Sequence, residues 1–338
     1  MADVLRHRPI GRFLSLYFLL ALLFLPFSWK GLGWWTQVIH AIWDAPTAWV
    51  ANWFTAVESP LGLSSDSPQL IAWLFLLLIP TWIIGLLIPK QQLDRLPWIS
   101  ILSYFLALIF LRYGLDKLSG GQFPAPDLFV LDTTVGELDS DILYWTTVGS
   151  SRSYQWFLGM AEIIPAILLL WSKTRLFGLL LLLPITINIA AVNWCFDISV
   201  KVLSGLLLAT NGWITFLNFR RWKDRENPQQ NWWSLQPEVT QKLRWLILLL
   251  ISWECVYPYV ERGYFYESDA TVARYHGIYQ PLDSKSRWSR LIVLRDDYWL
   301  IDQVGGKRFR WYRADLPYSI ELKGDTLLLA GEPLIKKE

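Results

Sequence analysis

Long apolar runs separated by short polar connections dominate the first 260 residues of the chain. An α-helix needs about 20 apolar residues to cross a bilayer. Seven runs approach or reach that length, and they cover 12–29, 69–89, 97–113, 154–171, 174–194, 199–219 and 243–260. We therefore predict an all-α polytopic membrane bundle of about seven transmembrane helices over residues 1–260.

The composition favours a membrane protein over a soluble protein with a large core. Hydrophobic residues make up 53% of the 338 residues and charged residues only 18%, whereas a soluble chain is roughly a quarter charged. The first run follows a basic stretch, but bulky residues come after it instead of a small-residue cleavage site. We expect an uncleaved first helix, not a signal peptide.

The basic residues of the connections predict the orientation. Thirteen Lys and Arg fall on one side of the predicted membrane and four on the other, and the side rich in positive charge is normally cytoplasmic. Seven crossings then place the N-terminus in the cytoplasm and the C-terminal domain outside. Glu254 makes the last run the weakest span, and without that crossing the C-terminal domain would be cytoplasmic.

A tryptophan-rich segment at 33–57 is too polar to be an ordinary span. Its apolar residues recur at roughly helical spacing, interrupted at Pro46. Tryptophan prefers the headgroup level of a bilayer, so we expect one or two helices lying on the outer leaflet. The predicted membrane-interface residues are Trp34, Trp35, Trp43, Trp49 and Trp53.

The apolar runs stop before residue 262, and the remaining chain, 262–338, predicts a small antiparallel β domain outside the membrane. Short strand patterns separated by turn residues support this prediction. We expect strands at 287–295, 298–304, 307–314, 318–323 and 326–330, with a hairpin at Gly305-Gly306. The domain is a candidate surface for a protein partner.

Ionisable residues in or beside the spans are the candidate site. Charges at membrane depth are costly unless they are paired or hydrated. The set contains equal numbers of positive and negative groups: Arg112, Asp116, Lys117, Glu162, Asp197 and Lys201. Tyr113, Asn188 and Asn193 add polar groups nearby.

Helical spacing predicts how these charges pair. Asp116 follows Arg112 by four residues and Lys201 follows Asp197 by four, so each pair meets if its helix continues. Glu162 has no such partner, and Arg112, Lys117 or Lys201 is expected to approach it from another span. The set is either a buried network that fixes the helix register or a polar cavity that binds a ligand.

Other chemistries lack the residues they need. The three histidines, His7, His40 and His276, lie outside the spans, and the two cysteines, Cys195 and Cys255, form no ligand motif. We predict no metal site and no evident cofactor. The net charge of +2 gives no case for nucleic acid, whereas a quinone would need only an apolar slot with a few hydrogen-bonding groups.

Several short motifs in the middle third of the chain occur together in one order. They are Arg112-Tyr113-Gly114-Leu115-Asp116-Lys117, Gln122-Phe123-Pro124-Ala125-Pro126, Gly159-Met160-Ala161-Glu162, the basic turn Lys173-Thr174-Arg175, and Asn193-Trp194-Cys195-Phe196-Asp197 before Val200-Lys201. In these motifs the chain resembles the DoxX-like family of bacterial integral membrane proteins. The resemblance implies a four-helix core, a location in the bacterial cytoplasmic (inner) membrane and, in some members, association with quinone-linked oxidoreductases.

Three functions follow from these observations. The first is an oxidoreductase-associated membrane subunit, linked to quinone, whose polar cluster is a binding cavity near the outer face. The second is a non-enzymatic assembly or interaction protein whose external β domain binds a partner. A small-molecule carrier is the third, and the sequence has no clear inverted repeat to support it. Whether the chain is an enzyme is left open.

Overall fold

The structure is a computed structural model that describes most of the helical region and the strands of the C-terminal segment. The described residues are 9–27, 29–55, 63, 66–223, 237–263, 265, 277–283, 286, 288–295, 298–303, 307–312, 320–323, 326–329 and 331–336.

The chain divides into two compact units. The first comprises Met1–Gln122 and Ser153–Phe265 and is called the helical unit. The second comprises Phe123–Arg152 and Tyr266–Glu338 and is called the sheet unit. The segment 123–152 therefore belongs with the C-terminal strands, an association that the apolar pattern did not indicate.

Helices account for almost all of the regular structure in the helical unit. In chain order they are α1 (Pro9–Leu23), α2 (Gly33–Ala51), α3 (Pro68–Leu76), α4 (Leu78–Leu87), α5 (Lys90–Arg95), α6 (Trp98–Ser119), α9 (Arg152–Leu169), α10 (Arg175–Cys195), α11 (Lys201–Lys223) and α12 (Pro237–Arg262). Helices α7 (Leu128–Leu131) and α8 (Ser140–Gly149) belong to the sheet unit.

Four helical stretches among the described residues are long and apolar enough to cross a membrane. They are Pro68–Leu87, formed by α3 and α4 together, Trp98–Ser119, Arg175–Cys195 and Lys201–Phe219. These stretches coincide with four of the seven predicted runs, so a multi-pass membrane protein is confirmed at this level.

The other three predicted runs also form helices, but their lengths or compositions differ. Helix α1 has 15 residues and ends at Leu23, before the predicted end at 29, so it is shorter than the hydrocarbon core of a bilayer. Helix α9 has 18 residues and carries Arg152 and Glu162. Helix α12 has 26 residues. That these three helices cross the membrane stays a prediction.

Helix α6 is enclosed by its neighbours, which matters because it carries half of the candidate charges. Its own apolar residues are distributed around the whole helix rather than along one face, and a helix of this kind is normally buried. Leu102, Leu106, Ile109 and Phe110 are all buried in the core. The helix packs against α1, α11 and α12. Side chains near its end are thereby held among other helices.

Helix α2 is a single helix that continues through Pro46, so the interruption expected there does not occur. Its buried residues, Ile39, Trp43, Thr47 and Ala51, recur every four positions on both sides of the proline. This continuous packed stripe offsets the one backbone hydrogen bond that a proline removes.

Seven strands form the antiparallel sheet of the sheet unit. They are β1 (Gly277–Pro281), β2 (Trp288–Arg295), β3 (Tyr298–Gln303), β4 (Lys307–Tyr312), β5 (Ile320–Lys323), β6 (Thr326–Leu329) and β7 (Glu332–Lys336). Their order is β4-β3-β2-β1-β7-β6-β5. The five predicted strands are all present, and each of their described ends lies within two residues of the predicted end. The predicted hairpin residues Gly305 and Gly306 lie outside the described residues.

The sequence analysis missed β1 and β7, which form the centre of the sheet. They pair with each other, with Tyr279 opposite Lys336 and Pro281 opposite Leu334. On the neighbouring strand β2, Trp288 is buried and Arg290 forms an ion pair with Asp132. Asp132 follows α7 (Leu128–Leu131), so this pair ties segment 123–152 to the sheet. Helix α8 spans Ser140–Gly149.

Candidate functional site

The candidate charges lie at the C-terminal end of α6 because that helix is longer than the apolar run that predicted it. The run ends at 113, but the helix continues to Ser119 and stops at Gly120, whose φ of 77° is left-handed. A glycine adopts this conformation at little cost. Arg112, Asp116 and Lys117 therefore share one continuous helix.

Two glycines bring α6 and α9 into close contact. A Cβ atom on Gly114 would lie 2.9 Å from the carbonyl oxygen of Gly159, and one on Gly159 would lie 2.8 Å from the carbonyl oxygen of Gly114. Real Cβ atoms are excluded at such distances, so only glycine permits this approach. Lys117 and Glu162 each follow one of these glycines by three residues and meet beside the contact.

Lys117 forms the ion pair with Glu162. Its Nζ donates to Oε2 of Glu162 over 2.9 Å and to Oε1 of Gln122 over 2.8 Å. The side chains of Lys117 and Glu162 are 8% and 3% exposed. The desolvation cost of each charge is thus offset by an opposite charge and by a hydrogen bond. The ring of Tyr113 lies 5.6 Å from the same Nζ.

Arg112 and Asp116 form the second pair on α6, but the guanidinium is incompletely satisfied. Nε of Arg112 lies 3.3 Å from Oδ2 of Asp116, without the alignment of a hydrogen bond. Nε and Nη1 are both buried and have no hydrogen-bond acceptor among the described residues. Asp116 accepts a hydrogen bond from the hydroxyl of Tyr259 on α12 over 3.2 Å. Arg112 therefore has donor capacity that the described protein groups do not use.

Glu254 on α12 is a functional candidate that the sequence analysis treated only as a weakness of the last span. Its carboxylate is fully buried and accepts hydrogen bonds from three successive backbone amides, those of Lys30, Gly31 and Leu32. A carboxylate in an apolar run was a visible signal, but nothing in the sequence identified its backbone partners.

Lys201 and Asp197 form the third ion pair, but they do not share one continuous helix as predicted. Helix α10 ends at Cys195 and α11 begins at Lys201, so no helix continues through Asp197, whose φ is 54°. Nζ of Lys201 nevertheless lies 2.7 Å from Oδ1 of Asp197 and 3.6 Å from Oδ2 of Asp66. Asp66 also accepts from the first amides of α11 and therefore caps that helix.

The two asparagines of α10 lie in different environments. Asn188 is exposed, whereas Asn193 is buried and its backbone carbonyl accepts from the amide of Ile198 over 3.0 Å. The five predicted interface tryptophans also divide. Trp34, Trp49 and Trp53 are exposed, Trp35 is partly buried and donates to the carbonyl of Leu23, and Trp43 is buried in the core.

The described residues contain no cluster of three His, Cys, Asp or Glu side chains that could hold a metal ion. Cys195 is exposed and Cys255 is buried, and both are free thiols. The chemistry that the site offers is therefore hydrogen bonding and charge: a closed Lys117–Glu162 pair, an anchored Glu254 carboxylate, and the unused donors of Arg112.

Comparison with known proteins identifies a relative over part of the chain. No family model matches the chain, and no solved structure matches it. The chain is similar to the uncharacterised protein YwoB of Bacillus subtilis strain 168, with 39% identity over 106 residues. The similar region covers 31% of this chain and 66% of that protein, just under two thirds of its length. The chain is thus similar to a bacterial protein over about a third of its own length.

Proposed function

We propose that this protein is a DoxX-like multi-pass protein of the bacterial cytoplasmic membrane whose α6 end, around Arg112, binds a membrane-borne molecule with oxygen acceptors. A quinone fits this description. The motifs between residues 112 and 201 support the DoxX-like assignment, and the four long apolar helices support the lipid environment. Seven crossings with an external C-terminal domain complete the proposal.

One observation carries the binding proposal: the buried Nε and Nη1 of Arg112 lack acceptors among the described residues. A buried donor without a partner is costly, particularly on a charged group. A carbonyl oxygen in an apolar slot would satisfy it without a metal or a second charge. Binding of a quinone would therefore stabilise the helical unit as well as position the ligand.

The proposed role of this site is to hold quinone for an associated quinone-linked oxidoreductase. The DoxX-like resemblance implies such an association. The chain's own part is to hold the carbonyl of the ligand against Arg112, with Asp116 and Tyr259 fixing the position of the guanidinium. Such support from neighbouring side chains is what a precise binding site requires.

Two matched arginine variants test the proposal. The protein would be purified from bacterial membranes, and its lipid extract would be analysed for quinone by mass spectrometry. Arg112→Gln should lose the bound quinone. Arg175→Gln is the control, because Arg175 is equally buried but its Nε and Nη1 donate to the carbonyl of Leu169 and to Oγ of Ser100. The folded fraction of the Arg175→Gln protein should retain its quinone.

The result would contradict the proposal if wild type carried no quinone, or if Arg112→Gln retained as much as wild type. Thermal midpoints with and without added quinone give a second readout. Added quinone should raise the midpoint of wild type and of Arg175→Gln but not that of Arg112→Gln, since ligand binding stabilises only a protein that binds it.

A non-enzymatic assembly protein is the alternative, and the closed Lys117–Glu162 pair favours it. Both side chains are buried and satisfied, as in a network that fixes helix positions rather than one that awaits a ligand. On this proposal the sheet unit binds a protein partner. Co-purification of a partner with the full chain, and its loss when 262–338 is deleted, would support the alternative.

A further inference from the structure

An open groove lies beside the start of α2 in the helical unit. Its volume is about 520 Å³, and it is lined by Trp29, Lys30, Gly33, Thr36, Gln37 and His40. Four of these residues carry polar side chains. The groove is distinct from the charged pairs of α6, none of which lines it, and the proposed quinone site does not use it.

The groove is rich in hydrogen-bond donors. Lys30 is exposed and supplies a positive charge. Trp29 is 5% exposed, and its Nε1 is buried with no acceptor among the described residues. His40 also lines the groove, but its Nδ1 lies 2.9 Å from Oδ1 of Asp44 and donates to it, so Nε2 of the neutral ring is an acceptor and is not among the donors. Lys30 and Trp29 provide donors that fit an anion with several oxygen acceptors.

The start of α2 adds backbone donors on the same side. The amides of Lys30, Gly31 and Leu32 are already bonded to Glu254, so the donors that remain begin at Gly33. Leu32 precedes the helix and provides no side-chain cap. A Cβ on Gly33 would have no atom within 4 Å, so the helix opens into free space here. A helix start of this kind attracts negative charge.

The outer face of α2 indicates where the anion comes from. Trp34 and Trp49 on the helix, and Trp53 and Phe54 just after its end, are between 61% and 78% exposed, while the opposite stripe of the helix is packed into the core. Exposed aromatic side chains of this size are unfavourable in water and favourable at the headgroup level of a bilayer. A ligand that carries acyl chains would contact them, and a free anion would not.

We propose that this groove binds the phosphate group of a membrane phospholipid, with Lys30, Trp29 and the start of α2 as the donors. The acyl chains then lie along the exposed aromatic face of α2. The bound lipid fixes α2 on the membrane surface and covers the buried Trp29 donor with an acceptor.

Ligand-dependent thermal stability of the delipidated protein in detergent tests this proposal. The probes are phosphatidylglycerol, a diacylglycerol with the same chains, and inorganic phosphate. Phosphatidylglycerol should raise the midpoint, and the other two should not. Lys30→Gln should weaken phosphatidylglycerol binding by about tenfold, the scale of one charge-assisted hydrogen bond. Lys90→Gln, at an exposed lysine outside the groove, should leave binding unchanged.

Trp29→Phe provides a second test, because it keeps an aromatic ring and removes only the Nε1 donor. It should also weaken binding of phosphatidylglycerol. Equal binding by wild type, Lys30→Gln and Trp29→Phe would overturn the proposal, as would equal stabilisation by diacylglycerol. Stabilisation by inorganic phosphate to the same extent as by phosphatidylglycerol would assign the groove to a free anion and overturn the lipid assignment.

Discussion

Gly114 and Gly159 approach each other so closely that a Cβ on either would lie within 3 Å of the carbonyl oxygen of the other. Lys117 and Glu162 follow these glycines at the same spacing and form a 2.9 Å ion pair. The glycine contact therefore sets the separation of α6 and α9 at which the buried lysine can reach the buried carboxylate.

Adding a methyl group at this contact should destabilise the protein. Gly114→Ala and Gly159→Ala are each expected to lower the free energy of unfolding by about 1–3 kcal/mol, the usual cost of overpacking. Gly205→Ala and Gly212→Ala are matched controls, because a Cβ there would have no atom within 4 Å. They should be neutral or stabilising by up to about 1 kcal/mol. Thermal unfolding in detergent measures both, and an equal loss in all four variants would contradict the assigned contact.

Removing one charge of the Lys117–Glu162 pair should cost more than removing both. Glu162→Gln leaves a buried ammonium without a counter-charge, and breaking such a pair from one side typically costs about 3–5 kcal/mol. The double variant with Lys117→Met should recover much of that loss.

The control is Asp197→Asn, because the carboxylate of Asp197 is 87% exposed in its pair with Lys201. It should lower the thermal midpoint far less. A double variant no more stable than Glu162→Gln would argue against a structural pair. If binding of quinone falls while stability hardly changes, the residues serve a ligand instead.

Glu254 should be important for stability although it interrupts an apolar run. Glu254→Gln removes the charge and replaces one of the two accepting oxygens by an NH₂ group, so at least one of the three amide bonds is lost. We expect a loss of about 2–3 kcal/mol, as for hydrogen bonds to charged groups. Glu261→Gln on the same helix is the control, since Glu261 is exposed. Equal thermal midpoints for the two variants would refute this role.

The distribution of basic residues predicts the topology directly. A reporter fused after residue 225 should be cytoplasmic, and one fused after residue 338 should be external, because thirteen Lys and Arg lie on one side of the predicted membrane and four on the other. Paired alkaline phosphatase and fluorescent protein fusions read both sides. A cytoplasmic C-terminal reporter would remove the crossing assigned to α12.

The apolar pattern predicted the four long membrane-type helices because hydrophobic run length is a local property of the chain. Helical spacing likewise predicted that Arg112 would reach Asp116. It could not predict that the helix ends before Asp197, because the turn there depends on a left-handed residue that is not glycine. Lys201 reaches Asp197 by virtue of its long side chain instead.

The partners of Glu254 and the centre of the sheet could not be predicted, for two physical reasons. The amides of residues 30–32 lie more than 220 positions from Glu254 and carry no side-chain signal. Strands β1 and β7 contain Pro281 and Pro333, and proline normally indicates an edge strand or no strand. Here each proline lies at or near a strand end, so the ladder between the two strands can still form.

The strand order has a consequence for biosynthesis. Strands β1 to β4 form a meander of adjacent hairpins, and β5 to β7 form another, each from pairings that are local in sequence. The pairing of Tyr279 with Lys336 joins them across more than 50 residues. Each meander can assemble as it is synthesised, but the sheet closes only when β7 has been made. A nascent chain that stops before residue 332 presents two small sheets with four open edges, where the finished sheet has two.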